Sequence, residues 1–197
     1  MWAVGHNVDI ITMSFGLEEE HGGMQKAIIE AYSRNILMFA AASNEGGNRI
    51  VTYPARKEQV ICIYATDGKG EPYRSNPTPI GNSYRFATLG EGVKSAWPKG
   101  LKKGAAPEQR MTGTSFATPI AAGIAACLLE FALVHGMPDN SYSSLRTRQG
   151  MQAVFGKLLV DVRKELHYIH PWRLFSESRE PLDILLLMKD TLTHSPN

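Results

Sequence analysis

Two short, almost unbroken apolar runs, separated by one amphipathic segment, constrain this chain more than any other feature. "VDIITMSF" (Val8–Phe15) is rich in β-formers and apolar at both odd and even positions, and "NILMFAAAS" (Asn35–Ser43) has the same character. A strand that is apolar on both faces is covered on both faces. Between the runs, Glu18–Arg34 places Met24, Ala27, Ile28 and Ala31 on one face of a helix. Strand, helix and strand at this spacing make a βαβ unit, which implies parallel pairing. "VICIYATD" (Val60–Asp67) predicts a third strand. The fold class is α/β with a mostly parallel sheet.

Beyond these elements, Lys69–Ser83 carries Pro72, Pro77 and Pro79 and reads as a long surface connection, and Arg85–Trp97 holds short strand-like pieces around Gly90 and Gly92. A helix is predicted from Thr114, with an apolar stripe of Ile120, Ile124, Cys127, Leu128 and Phe131 flanked by alanines, apolar nearly all round and therefore central. A second helix is predicted over Ser144–His170, with Met151, Val154, Phe155, Leu158, Val162 and Leu166 as its stripe. From Pro171 the pattern weakens to one apolar patch, Leu182–Met188, and residues 171–197 read as a partly disordered extension to a domain spanning 1–170. At the other end, "MWAVGHNVD" has neither a basic nor an apolar leader region. Trp2–Val4 reads as the last turn of a helix with Gly5 as its end, so strands and helices that belong before it are expected to be missing.

Bulk properties remove several function classes. The 197 residues are 43% hydrophobic and 20% charged, an ordinary globular balance. A net charge of +2 gives no clustered positive surface for nucleic acid. The run Pro119–Val134 is interrupted by Glu130 and is short for a membrane span, so no membrane partner is expected. Cys62 and Cys127 lie in apolar segments and read as buried free thiols, which leans toward an intracellular, reducing compartment; localisation is otherwise open.

Chemistry concentrates in "MTGTSFATPIAAG" (Met111–Gly123). Ser115 stands just inside a helix N-terminus, where free N–H groups and the helix dipole stabilise a negatively charged oxygen. A tetrahedral intermediate on a serine ester carries such an oxygen. Thr114 or Ser115 is equally read as a simple N-cap. In "AAASNEGGN" (Ala40–Asn48), Asn44 follows a buried parallel strand, the edge where functional residues gather in such sheets. Its carboxamide can donate to an oxyanion, though Asn-Glu-Gly-Gly is also good turn chemistry.

"DIITMSFG", "AASNEGGN", "YPA" and "GTSFATPIAAG", in that order, resemble the subtilisin-like serine proteases. The family's Gly-Thr-Ser-x-Ala-x-Pro motif with a spaced glycine is matched by Gly113, Thr114, Ser115, Ala117, Pro119 and Gly123. The resemblance runs from about residue 1 to about residue 135. It implies a three-layer fold with helices on both faces of the sheet. It also implies Ser115 as the nucleophile of a serine endopeptidase, with Asn44 and the Ser115 N–H as an oxyanion hole. Ser14, Phe15 and Gly16 match the segment that pairs with the substrate backbone, and Ala41, Ala42 and Ser43 match a wall of the pocket for the side chain before the scissile bond. Thr114 belongs to the same substrate-binding set. Three positions depart from the family pattern: Ser43 stands where glycine is usual, Ile120 where histidine is frequent, and Glu91 near a common Ala-Pro-Gly.

A serine hydroxyl needs a base, and the base an orienting carboxylate. The family's Asp-[Ser/Thr]-Gly and His-Gly-Thr-x-x-Ala-Gly motifs are both lacking. The six histidines are His6, His21, His135, His167, His170 and His194, and none stands in such a context. The expectation is a carboxyl-terminal part of a catalytic domain, acting on peptide or protein substrates only when the missing Asp and His are supplied. A rival is a non-catalytic peptide-binding module. Another is an α/β-hydrolase using Ser115, Asp139 or Asp161, and His167 or His170, which would require "PEQRMTG" to be a strand, and that segment is a poor one. No cofactor is implied. Calcium is common in the family, but Asp67 alone does not make a site, so no metal is expected.

Overall fold

In a computed structural model the described residues are 2–79, 84–98 and 107–194. A terminal turn, α1 (Trp2–Gly5), leads into β1 (Ile10–Met13), and α2 (Gly22–Ser33) returns the chain to β2 (Leu37–Ala41). β1 and β2 are parallel, with Ile10 opposite Leu37. This is the βαβ unit predicted above. α2 starts later than Glu18 because Leu17 and Tyr53 exchange backbone hydrogen bonds of 2.8 and 3.0 Å, which keeps the approach to the helix extended. β3 (Ile61–Thr66) and β4 (Phe86–Leu89) continue the sheet in parallel. The end of the proline-rich connection, residues 80–83, lies outside the described residues.

β2 explains why a continuous apolar run was required. All five of its residues are buried. Leu37 and Phe39 enter one core cluster with the later helices, while Met38 and Ala40 enter a second with α2. The sheet is thus a middle layer between two helical layers, as expected.

After β4 the chain forms an exposed antiparallel pair, β5 (Val93–Ala96) and β6 (Glu108–Met111), apart from the main sheet. It then enters α3 (Thr114–Val134), a 21-residue helix long and apolar enough by length and composition to cross a membrane. In this fold α3 instead lies on β1 to β4. Its inward face differs from the stripe predicted above. Ala117, Ala121, Ala125, Leu128 and Ala132 are fully buried, whereas Ile120, Ile124 and Phe131 are only partly covered and Cys127 is exposed. Methyl side chains let the helix approach the sheet closely, so the small residues take the core face and the larger ones the flanks. The buried-thiol expectation therefore fails for Cys127.

The helix expected over Ser144–His170 is not formed. α4 (Asp139–Leu145) stops, Thr147 caps α5 (Arg148–Val154) by accepting the Gly150 N–H at 3.0 Å, and one π-helical turn over Phe155–Leu159 ends the helical run. Met151, Val154 and Phe155 are fully buried as the helical stripe required. Val162 and Leu166, however, belong to a hairpin, β7 (Val160–Arg163) and β8 (Leu166–Ile169), turning at Lys164 with φ 53°. Val160-Asp161-Val162 alternates with β-branched residues, and helical period counting absorbed that signal. β8 pairs in parallel with β4, which gives the sheet order β1-β2-β3-β4-β8-β7 with β7 as its antiparallel edge.

Past a short 3-10 turn at Pro171–Arg173, α6 (Pro181–Thr193) carries the apolar patch noted in the sequence. Leu174, Ile184 and Met188 join the core cluster of α3. Residues 195–197, most of the end expected to fray, lie outside the described residues.

Candidate active site

The carboxyl ends of β1, β2 and β4 meet the amino end of α3, and this meeting point collects the residues singled out in the sequence. Gly113 precedes α3 at φ 148°, a region few side chains enter, and its N–H donates to the Gly90 carbonyl at 2.8 Å. A Cβ on Gly113 would lie 3.1 Å from both terminal amide atoms of Asn44. Glycine is therefore what allows the strand-borne carboxamide and the helix mouth to touch.

Asn44 is held by one end. Its Oδ1 accepts the Thr114 N–H at 2.8 Å and the Thr114 hydroxyl at 3.2 Å, and that hydroxyl also reaches the Ser43 carbonyl at 3.2 Å. With the oxygen engaged, the carboxamide orientation is set and its two Nδ2 hydrogens have no acceptor among the described residues. The backbone N–H of Ser115, in the first turn of α3, also has none. Two donors bordering one cleft at a positive helix end thus have no acceptor among the described residues, one after the strand end and one on the helix.

Ser115 Oγ reaches the Ser14 carbonyl at 3.4 Å, and Ser14 Oγ donates to the Ser115 carbonyl at 2.9 Å. Pro119, four residues on and inside the helix, has no N–H for that carbonyl. Farther along α3, Thr118 donates to the Thr114 carbonyl at 2.8 Å and Thr88 on β4 donates to the Ala117 carbonyl at 2.7 Å, pinning this turn to the sheet.

Around these atoms opens a cleft of about 300 Å³ lined by Ser14, Phe15, Gly16, Ala41, Ser43 and Asn44, with Thr114 and Ser115 at its helical side. Ala42 is not part of it: alternation along the strand end turns its side chain into the core cluster on the α2 side. Glu45 and Thr52 also line the cleft and were not singled out in the sequence. Thr52 comes in because its N–H and hydroxyl both donate to the Ala42 carbonyl, a non-local pairing with no local pattern. Ser43 has φ 147°, so the position where the family usually has glycine does adopt a conformation that favours glycine.

No histidine or carboxylate among the described residues hydrogen-bonds Ser115. His21, His135 and His194 sit at helix ends, His6 Nδ1 donates to the Trp2 carbonyl, and His167 stands opposite Phe86 at the amino end of β4. His167 Nδ1 accepts the Arg85 N–H at 3.1 Å; burial, then the Arg85 charge, lowers its pKa. His170 lies 3.7 Å from Asp161 on the β7 edge. The segment "PEQRMTG" does contain a strand, β6, contrary to the expectation, because β5 supplies a pairing partner; it lies in the separate two-stranded sheet and not in the parallel one. Among the described residues no group of three or more His, Cys, Asp or Glu side chains could hold a metal. Asp67 accepts the Lys69 and Glu71 N–H groups at 2.8 Å each, which lowers its pKa and ties its Oδ1 into a turn.

The family model of the subtilase peptidases matches residues 1–153. The chain belongs to the subtilase family. It is 30% identical over 166 residues to Subtilisin DY of Bacillus licheniformis, covering 82% of this chain and 58% of that one. It is 32% identical over 136 residues to the subtilisin-like protease het-Q2 of Podospora anserina, covering 66% of this chain and 36% of that protein. Among solved structures it resembles a mutant of the PatA protease domain with a TM-score of 0.70 at 24% identity, covering 93% of this chain and 62% of the other. It also resembles the PatG macrocyclase in complex with peptide, with a TM-score of 0.68 at 19% identity and coverages of 93% and 53%. These structural likenesses concern the fold. This subtilase chain spans just over half of Subtilisin DY and about a third of het-Q2.

Proposed function

We propose that this subtilase chain carries the nucleophile and oxyanion hole of a serine endopeptidase, with Ser115 forming the acyl-enzyme and Asn44 with the Ser115 N–H holding the oxyanion. The observation that carries the reading is the engagement of Asn44 Oδ1 by Thr114, which leaves the Nδ2 hydrogens as the free end of the carboxamide. Ser115 Oγ attacks the carbonyl carbon of an extended peptide. The carbonyl oxygen takes the electron pair, the two donors stabilise it, and its collapse expels the amine. Ser14, Phe15 and Gly16 offer backbone groups for strand addition by the substrate, and Ala41 and Ser43 wall the pocket for the preceding side chain.

Two protons remain to be handled: the one leaving Ser115 Oγ and the one the amine requires. Neither has a handler near Ser115 among the described residues, where the hydroxyl meets only a backbone carbonyl. A histidine with an orienting carboxylate, supplied by polypeptide outside residues 1–197, completes the machinery. The chain alone is inactive.

A fluorophosphonate probe tests this. The isolated chain is expected to label at Ser115 no faster than an ordinary surface serine, and S115A not at all at that site. Adding polypeptide that carries the missing Asp and His motifs is expected to accelerate labelling of Ser115. Fast labelling of the isolated chain shows that a base is present after all. Failure of any such polypeptide to activate Ser115 supports a second reading, a peptide-binding pseudoprotease, which the bare Ser115 hydroxyl also favours.

A further inference from the structure

A cavity of about 400 Å³ opens at the amino ends of β3 and β4, the opposite ends of the strands from Asn44 and Gly113. Its walls carry four cations, Arg56, Lys57, Arg85 and Arg148, against one carboxylate, Glu58. Three of the cations have carboxylate partners elsewhere. Arg56 and Lys57 share Glu20 at 3.8 and 3.2 Å, and Arg85 holds Glu165 at 3.0 Å.

Arg148 differs. It lies at the start of α5, half-buried, and its Nε is fully buried with no hydrogen-bond partner among the described residues. Burial lowers the pKa of the guanidinium and prevails over the attraction through space of Tyr32 and of the exposed Glu58. A half-buried cation with no carboxylate in hydrogen-bond reach is costly, and an anion arriving on it would offset that cost. The guanidinium fork matches the two oxygens of a carboxylate or phosphate. Tyr84, exposed at the surface, and the buried Tyr64 line the same cavity, and Tyr84 gives it aromatic surface. The volume falls in the usual range for small-molecule sites and is too large for an inorganic ion alone.

We propose that this cavity is a second binding site, separate from the Ser115 cleft, for a small organic anion whose carboxylate or phosphate sits on Arg148 and whose body lies against Tyr84.

The test titrates the whole chain with phenyl phosphate, benzoate, inorganic phosphate and neutral phenol, read by calorimetry and by thermal shift. Phenyl phosphate or benzoate is expected to bind saturably and raise Tm, inorganic phosphate to bind more weakly, and phenol not to bind. Whichever aromatic anion binds more tightly identifies the head group. R148Q is expected to weaken that binding by about tenfold or more, the loss of a charge-assisted pair of bonds, while leaving Tm unchanged or higher because an uncompensated cation is gone. E58Q is expected to strengthen it, and R34Q, at the exposed position just past the end of α2, to leave it alone. Absence of saturable binding by both aromatic anions overturns the proposal. So does an R148Q chain that binds as the wild type does. Should R148Q not fold, R148K keeps the charge but loses the fork: weaker binding with an unchanged circular dichroism spectrum sustains the proposal, and unchanged affinity overturns it.

Discussion

Ser14 and Ser115 are bonded to each other in both directions, each hydroxyl to the other's carbonyl, at 2.9 and 3.4 Å. The shorter of these bonds fills the vacancy that Pro119 makes in the helix. S14A is therefore expected to destabilise the chain by about 0.5–1.5 kcal/mol, the net worth of one hydrogen bond. Giving the Ser115 carbonyl an alternative donor through P119A is expected to shrink that cost. A urea double-mutant cycle on S14A and P119A checks this, with a coupling energy near zero as the contrary result.

Gly113 and Ser43 have nearly the same backbone angle, φ 148° and 147°, but only one of them is glycine. G113A places a methyl group against the Asn44 amide and strains the backbone, so a loss of about 1–3 kcal/mol is expected. S43G relieves strain of the same kind and gives back part of it as chain entropy, so a gain of about 1 kcal/mol is expected. Denaturant midpoints of the two variants are expected to move in opposite directions.

His167 donates nothing through Nδ1, which accepts the Arg85 N–H, and its pKa is lowered by burial and by Arg85. The unfolded chain binds a proton at this residue at higher pH than the folded one does. Stability is thus complete above the unfolded value of about 6.5 and declines as pH falls below it. Thermal melts are expected to show wild-type Tm dropping from pH 7.5 to 5.5, with a smaller drop in H167N, whose side-chain oxygen can still accept. Equal drops in the two proteins would remove His167 from the acid response.

The two thiols are expected to react on different timescales. Cys127 is exposed on α3, whereas burial pushes the Cys62 pKa up to about 12. At pH 8 a disulfide reagent is expected to modify one thiol rapidly, the second only after denaturant is added, and C127S to abolish the rapid phase. A rapid second equivalent in the native chain contradicts this.

How much of the fold and the cleft is legible in the sequence depends on the range of the interactions. The βαβ unit is, because β2 must be apolar on both sides to sit between two cores. The turn at the mouth of α3 is, since Gly113, Thr114, Ser115 and Pro119 are close in sequence. The face of α3 is not, because hydrophobicity ranks Ile124 above Ala125, while close approach to a sheet ranks them the other way. The hairpin of β7 and β8 is hidden because Phe155 and Leu158 keep helical spacing up to the π turn, and only the pairing of β8 with β4 makes strands of the residues beyond it. Thr52 reaches the cleft through the Ala42 carbonyl, a contact no local pattern encodes.

The row of methyl groups on α3 has one more implication. The serine rides on the helix and the asparagine follows a strand of the sheet, so the gap between the proposed nucleophile and the proposed oxyanion donor is a distance between two layers. Ala117, Ala121 and Ala125, all fully buried, act as its spacers. Side chains with no reactive atom thereby set the tolerance of the proposed site, and a single added methylene a full turn or more away from Ser115 would tilt the helix and shift Ser115 relative to Asn44.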